Sequence, residues 1–355
     1  MKILKNLALS PNLPLIAKIL ERSVASQLTE HLHSNQLFET FQSGFCSHHS
    51  TETALIKVSN DLLVASDSGS LSILLPLDLS AAFDTIDHSS HLHRLQSHVG
   101  VTGSALSWFT SYLSNRSKFF SLNNCRSDIT PVTHGVPQGS VLGTLLFIIF
   151  MLPLGHIIRH RGLQFHRYAD DSQLYLVTKN INSTTVSTIT NCLNALKICM
   201  PTNFLKLNYS KSELIITGPK SLLSSFKDFT LSIRNLGVSF DPLLSFLPHI
   251  HHVTKTAFFH LQNIARLRPI LSSIATETLI HAFISSKIDY CNSLLYGLPS
   301  THIKKTSVCS KLCCTAPHSH QQERSHNPGL KKPSLASHSA AHSVQDLTHH
   351  LQGPQ

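Results

Sequence analysis

Phe165-His166-Arg167-Tyr168-Ala169-Asp170-Asp171-Ser172-Gln173-Leu174-Tyr175-Leu176-Val177 is the stretch that decides the fold. Two adjacent carboxylates sit between two short runs rich in aromatic and aliphatic residues, the pattern of a β-hairpin with an acidic pair at its bend. An Asp-Asp pair alone is explained as a turn, because Asp tolerates turn geometry and bonds its own backbone. A second stretch, Leu71 to His88 (LSILLPLDLSAAFDTIDH), alters that balance. There an apolar, strand-like run ends on Asp78 and a helix-like run follows. A third carboxylate at a strand end can meet the hairpin pair and bind two divalent cations. Two such metals stabilise the attacking and leaving oxygens of a phosphoryl displacement.

LDLSAAFDT, GVPQGSVLG and YADD, in this order, resemble the palm motifs of reverse transcriptases from non-LTR (LINE-type) retrotransposons. The resemblance runs from about Leu13 to about Lys305. It implies an α+β polymerase right hand: partial fingers over 1–70, a palm with an antiparallel sheet over 71–245, and a partial helical thumb over 246–305. It further implies RNA-templated DNA synthesis, with an RNA template, a DNA primer and deoxynucleoside triphosphates as partners. Two Mg²⁺ ions, or Mn²⁺ in their place, would serve as cofactors.

By the same resemblance Asp78 and Asp170 are the main metal ligands and Asp171 supports them, with the Leu79 carbonyl as a further ligand. Phe83 would lie under the nucleotide sugar and clash with a 2′-hydroxyl. Gln138, with Gly139, would sit beside the incoming nucleotide and template base, and Lys211 would approach the triphosphate. Read from the residues alone, Phe83 packs in a core, Gln138-Gly139 is a tight turn before a buried helix, and Lys211 is a surface lysine. The glycines of that loop allow close backbone approach to a ligand. Asp84 and Asp87 read as first-turn helix charges or solvated residues instead of metal ligands.

The chain has 355 residues, a formal net charge of +10 and a 41% hydrophobic content, which excludes a disordered chain and allows two or three domains. A basic balance favours a polyanionic partner such as nucleic acid. Eight cysteines at irregular positions form no Cys-x-x-Cys pair, so reduced thiols in an intracellular protein are expected. Neither Cys313, Cys314, His318 and His320 nor the group His249, His251 and His252 has the framework of a zinc site. The latter group reads as an exposed polar cluster. Val141 to Ile158 is close to membrane-spanning length and uncharged, but Gly143, Pro153, Gly155 and His156 favour a helix buried under a sheet. No membrane partner is expected.

Along the chain, Leu15, Ile16, Ile19, Leu20, Val24 and Leu28 recur at helical spacing. Ser50 to Val64 reads as a helix capped by Ser50 or Thr51. A strand over Leu71 to Leu79, interrupted by Pro76, precedes a helix from Ser80 to Leu95. Ser104 to Leu113 is amphipathic, and Asn115 to Pro131 suggests an inserted hairpin. A helix over Thr185 to Met200, strands through Ile216 and over Ile233 to Phe240, and helices over His249 to Arg268 and Thr276 to Leu295 follow. Residues 306–355 are rich in Ser, His, Pro and Gln, the composition of a disordered or frame-shifted tail.

Members of the family usually carry Arg at Cys46, where it would face the triphosphate, Leu at Pro76, Pro at Thr144 and Trp at Cys199. With no endonuclease-like stretch before the motifs, the expectation is a truncated, partly degenerate copy. The alternative to an active polymerase is a catalytically impaired relic that at most binds nucleic acid.

Overall fold

Helix α1 (Leu15–Ser34) forms where the apolar period predicts it, but of the predicted apolar positions only Leu28 is buried and Val24 partly so. Leu15, Ile16, Ile19 and Leu20 are exposed, and the buried positions are Glu21, Leu28 and Leu32. The computed structural model describes residues 15–80, 86–119, 121–122, 125–136, 139–202, 205–208, 212–226, 232–302 and 304. Phe83, Asp84, Gln138, Lys211, Cys313, Cys314, His318, His320 and the 306–355 tail lie outside them. The chain forms two compact units, Met1–Leu244 and Ser245–Gln355.

In the first unit, α2 (Thr51–Asp67) starts at Ser50, whose hydroxyl accepts from the Thr53 N–H while the Thr53 hydroxyl accepts from the Ser50 N–H. That reciprocal cap satisfies two of the donors a helix start leaves open. Strand β1 (Leu71–Leu77) runs straight through Pro76 and breaks only at Asp78, before β2 (Leu79–Ser80). Proline is tolerated because β1 has strands on both sides only at Ser72–Leu74; Pro76 pairs with Gln173 on one side alone.

The helix expected from Ser80 starts as α3 (His88–Ser97), capped by Asp87, whose carboxylate accepts from the Ser90 N–H at 2.7 Å. After α4 (Gly103–Leu113), strands β3 (Arg116–Lys118) and β6 (Thr130–Val132) pair as the inserted hairpin, with β4 (Ser121–Leu122) and β5 (Cys125–Arg126) paired between them. The apolar stretch becomes two helices, α5 (Val141–Phe150) and α6 (Leu152–His160). Long and apolar enough to cross a bilayer, Val141–His160 instead has most of its α5 side chains in the core, with α1 and α3 packed on α5. The break falls at Met151, ahead of Pro153, which is tolerated in a first turn.

Strands β7 (Gln164–Tyr168) and β8 (Asp171–Thr178) form the hairpin, followed by α7 (Ser183–Thr202), β9 (Lys206–Leu207), β10 (Ile215–Thr217) and α8 (Lys220–Leu223). The central sheet runs β10-β1-β8-β7, antiparallel throughout. Alternation sends Leu75 and Leu77 into a large helical core with Leu142, Leu146, Phe150 and Leu196. On the other face α2 covers the sheet, and the Tyr175 hydroxyl donates to Asp61 of α2 at 2.5 Å. The segment Ile233 to Phe240 is not one strand but a hairpin, β11 (Ile233–Asn235) and β12 (Val238–Phe240). Positive φ at Leu236 (45°) and Gly237 (82°) makes the tight turn that alternation alone hides.

The second unit is helical: α9 (Leu247–Leu267), α10 (Ser273–Ile280) and α11 (Ser286–Asp289). The single helix expected from Thr276 to Leu295 runs through a π turn at His281–Ser285 and ends at Tyr290, which leaves helical geometry. Ala257, Ile264, Ile280 and Ile284 form its core. His249 is buried while His251 and His252 are exposed, so those three do not make one exposed cluster.

Glu21 explains the face that α1 buries. Its carboxylate accepts from the Val141 N–H at 2.6 Å and from the Tyr112 hydroxyl at 2.9 Å, placing a negative charge at the start of α5. Glu21→Ala leaves two half-buried donors without that acceptor, so a loss of about 1–2 kcal/mol is expected. Urea unfolding of both proteins checks it; midpoints that coincide would contradict the role.

Candidate active site

A two-residue bend joins β7 to β8. Tyr168 and Asp171 are the last pair of the ladder, so Ala169 and Asp170 form the turn. The acidic pair is therefore split: Asp170 stands on the bend and Asp171 opens β8. Ala169 has φ +59°, a region that disfavours a residue with a Cβ by about 1–2 kcal/mol. Such a strained turn persists only where its surroundings hold it.

The β1–β8 register brings the third carboxylate to the same end of the sheet. Leu77 pairs with Ser172, so Asp78 and Asp171 are the next residues beyond that pair. β1 stops there because Asp78 is held from elsewhere. The Asn208 N–H donates to the Asp78 carbonyl at 2.9 Å, and the Asn208 amide donates to the Asp78 carboxylate at 3.0 Å. Leu79, next along, pairs with Leu207.

An open cleft of about 410 Å³ lies at this end, lined by Asp78, Asp171, Glu213, Gln173, Arg234 and Asn235 among others. Asp78 and Asp171 thus share one wall system; Asp170 and Leu79 are neighbours in sequence but do not line the cleft. Gly139 is exposed, with φ +78°, just before α5. Glu213 and Arg234, which line the cleft, and Asn208, which bonds Asp78, had no assigned role in the sequence, since they come from three separate segments. The Asn235 side-chain amide donates to Gln173 Oε1 at 3.2 Å and ties the β11–β12 hairpin to β8.

Among the described residues, no three His, Cys, Asp or Glu side chains converge as a complete metal cage. Two carboxylates in an open, oxygen-rich cleft nevertheless fit Mg²⁺, which is bound through one or two carboxylates plus substrate phosphates and water.

Behind the bend, β7 carries a charge into the core. Arg167 is fully buried and donates to the Met151 carbonyl at 2.6 Å; its guanidinium lies 3.9 Å from Glu39. Glu39 also pairs with Arg159 at 2.6 Å. Burial pulls the Arg167 pKa down to about 10, although Glu39 opposes that shift. Cys46, half-buried, has its thiol pushed up by burial, with the Arg167 charge acting the other way. Next to Arg167, burial brings His166 down to about 4, assisted by Lys57, His49 and Arg167 and opposed by Asp61.

Residues 11–240 match the family model described as "Reverse transcriptase (RNA-dependent DNA polymerase)". The probable RNA-directed DNA polymerase from transposon BS of Drosophila melanogaster is 26% identical over 283 residues, 74% of this chain and 30% of that protein. The RNA-directed DNA polymerase from mobile element jockey of the same organism is 24% identical over 320 residues, 83% of this chain and 34% of that protein. The chain therefore spans about a third of the length of the curated relatives it matches. A structure of apo telomerase from Candida tropicalis truncated from its C-terminal domain aligns with 62% of this chain and 44% of its own, at 12% identity and a TM-score of 0.47.

The depressed histidines make the fold acid-sensitive. His91, wholly buried in α3, is lowered to about 3 by burial, then by Arg94 and His88. Unfolded histidine takes up a proton near pH 6.5, whereas these two refuse it until about pH 4 and 3. Stability is thus complete above about pH 6.5 and falls as pH drops toward those values, by on the order of 2 kcal/mol per histidine at pH 5. Urea midpoints at pH 7.5 and 5 measure the loss, and His166→Asn is expected to remove about half of it. Equal midpoints at both pH values would contradict it.

Proposed function

Since the chain belongs to the reverse transcriptase (RNA-dependent DNA polymerase) family and is of the LINE type, we propose that it extends a DNA primer on an RNA template from deoxynucleoside triphosphates. The observation that carries this reading is the β1–β8 register, which leads Asp78 and Asp171 into one cleft beside the bend of Asp170. A net charge of +10 suits a polyanionic template and primer.

Asp78, Asp170 and Asp171 are the residues to hold the divalent cations, Mg²⁺ or Mn²⁺, with the Leu79 carbonyl as a further oxygen. When bound, the two cations supply positive charge to the attacking 3′-hydroxyl and to the leaving pyrophosphate oxygens. Asn208 keeps one Asp78 oxygen engaged and so fixes how the carboxylate turns toward the cleft. Phe83, Gln138 with Gly139, and Lys211 are proposed by motif position for sugar selection, for the nucleotide and template base, and for the triphosphate.

Asp78→Asn or Asp171→Asn is expected to reduce magnesium-dependent extension by at least about a hundredfold, because each removes a charged oxygen ligand. Wild-type rates in both variants would remove these residues from the site.

Cys46 stands where the family usually places an arginine, and a weak thiol donor cannot replace a charged fork. That loss lowers transition-state stabilisation by on the order of 2–4 kcal/mol, or roughly thirty- to a thousandfold in rate. Cys46→Arg is expected to recover part of it. The nearby buried Arg167 charge repels a second guanidinium and limits the gain. Primer extension at matched folded concentration, across a range of deoxynucleotide, compares the two; robust wild-type extension with no gain from arginine would refute this prediction.

A further inference from the structure

The strained bend that carries Asp170 is pressed from outside by a second segment. Residues Glu39 to Cys46 run alongside β7, with the Arg167 N–H donating to the Phe41 carbonyl at 2.7 Å and the Ser43 N–H donating to the Arg167 carbonyl at 2.9 Å. Gln42 and Arg167 thereby form a parallel bridge. The segment is also closed on itself. The Gln42 amide donates to the Gly44 carbonyl at 2.9 Å, and the Cys46 N–H donates to the Ser43 carbonyl at 3.2 Å. Below it, the Ser43 hydroxyl bonds His166 Nε2 at 2.8 Å and His49 Nδ1 at 3.0 Å, while Glu39 faces Arg167.

At the tip, Gly44 lies flat against the turn. A Cβ built there would stand 2.2 Å from the Ala169 nitrogen and 2.9 Å from both the Ala169 Cα and the Tyr168 carbonyl carbon. Those are main-chain atoms, which cannot swing aside as a flexible side chain does. Gly44 is not among the residues with positive φ, so what it supplies is space, not backbone freedom. A residue with φ +59° at the bend and a glycine in main-chain contact with it form one unit: the turn keeps its strained form where the loop fits over it.

We propose that Glu39–Cys46 is a brace that sets the Ala169–Asp170 bend, and that Gly44 is a positioning residue for Asp170 and Asp171, acting through Ala169 and Tyr168. The proposal rests on the polymerase reading for the use of those carboxylates, but the brace itself is a property of the folded chain.

The test compares the full-length wild type with Gly44→Ala by hydrogen exchange and by Mn²⁺ binding, without primer or template. Exchange across 168–172 is expected to quicken by roughly tenfold or more, with peptides from Leu146–Phe150 unchanged. The Mn²⁺ affinity is expected to fall with it, and Gly44→Ala combined with Ala169→Gly, which relieves the bend, to restore part of both. Unchanged exchange at the bend and unchanged Mn²⁺ affinity in Gly44→Ala overturn the proposal. If Gly44→Ala does not fold, Ser43→Ala removes two bonds of the brace and adds no atom near Ala169; faster exchange at 168–172 supports the brace, and wild-type exchange there overturns it. A wild type that binds Mn²⁺ yet extends no primer counts against the polymerase reading and leaves the brace standing.

Discussion

The pairing of β1 with β8 is the constraint on which the rest depends. Antiparallel strands place side chains with a period of two, so a slip of one residue turns every inward side chain outward. With Leu77 opposite Ser172, the same register sends Leu75 and Leu77 into the helical core and brings Asp78 level with Asp171. Core packing and the spacing of the carboxylates are thus one choice. The core supplies the larger energy: each buried leucine is worth about 1.5–3 kcal/mol relative to exposure. The acidic residues are held close by strands whose stability comes from elsewhere.

Much of this was legible because local chemistry and tertiary position agree. The Ser50 cap, the strand ending at Asp78 and the acidic hairpin are all read from neighbours in sequence. Where the two disagree, reading failed. Leu236 adopts φ 45°, so the β11–β12 turn lacks the signal of a glycine or asparagine at its first position. The exposed Leu15, Ile16, Ile19 and Leu20 look like a core face, while the buried Glu21 looks like a surface residue. Only the distant Val141 N–H and Tyr112 hydroxyl reverse that. Asn208, Glu213 and Arg234 were missed for the same reason: Asp78, which Asn208 bonds and which shares the cleft with the other two, is far away in sequence.

The departures from the family pattern differ in what they disturb. Pro76 lies where its strand has a partner on one side only, and the sheet accommodates it. Thr144 sits in the first turn of α5, where its hydroxyl donates to the Val141 carbonyl at 3.4 Å. Cys46 is half-buried, and the nearby Arg167 charge opposes the rise that burial gives its thiol.

The central sheet also has a history in time. β1 pairs with a strand made roughly a hundred residues later, Leu71 with Thr178 and Leu77 with Ser172. At about 5–20 residues per second of synthesis, a nascent β1 waits some 5–20 s for β8. During that interval a run of Leu, Ile and Leu has open backbone edges, the form in which strands pair with the wrong neighbour. α2, completed just before β1 and packed against it, is a large apolar partner already made. Packed against β1, α2 shelters one face of the nascent strand until β8 is made, and it still covers that face in the finished sheet.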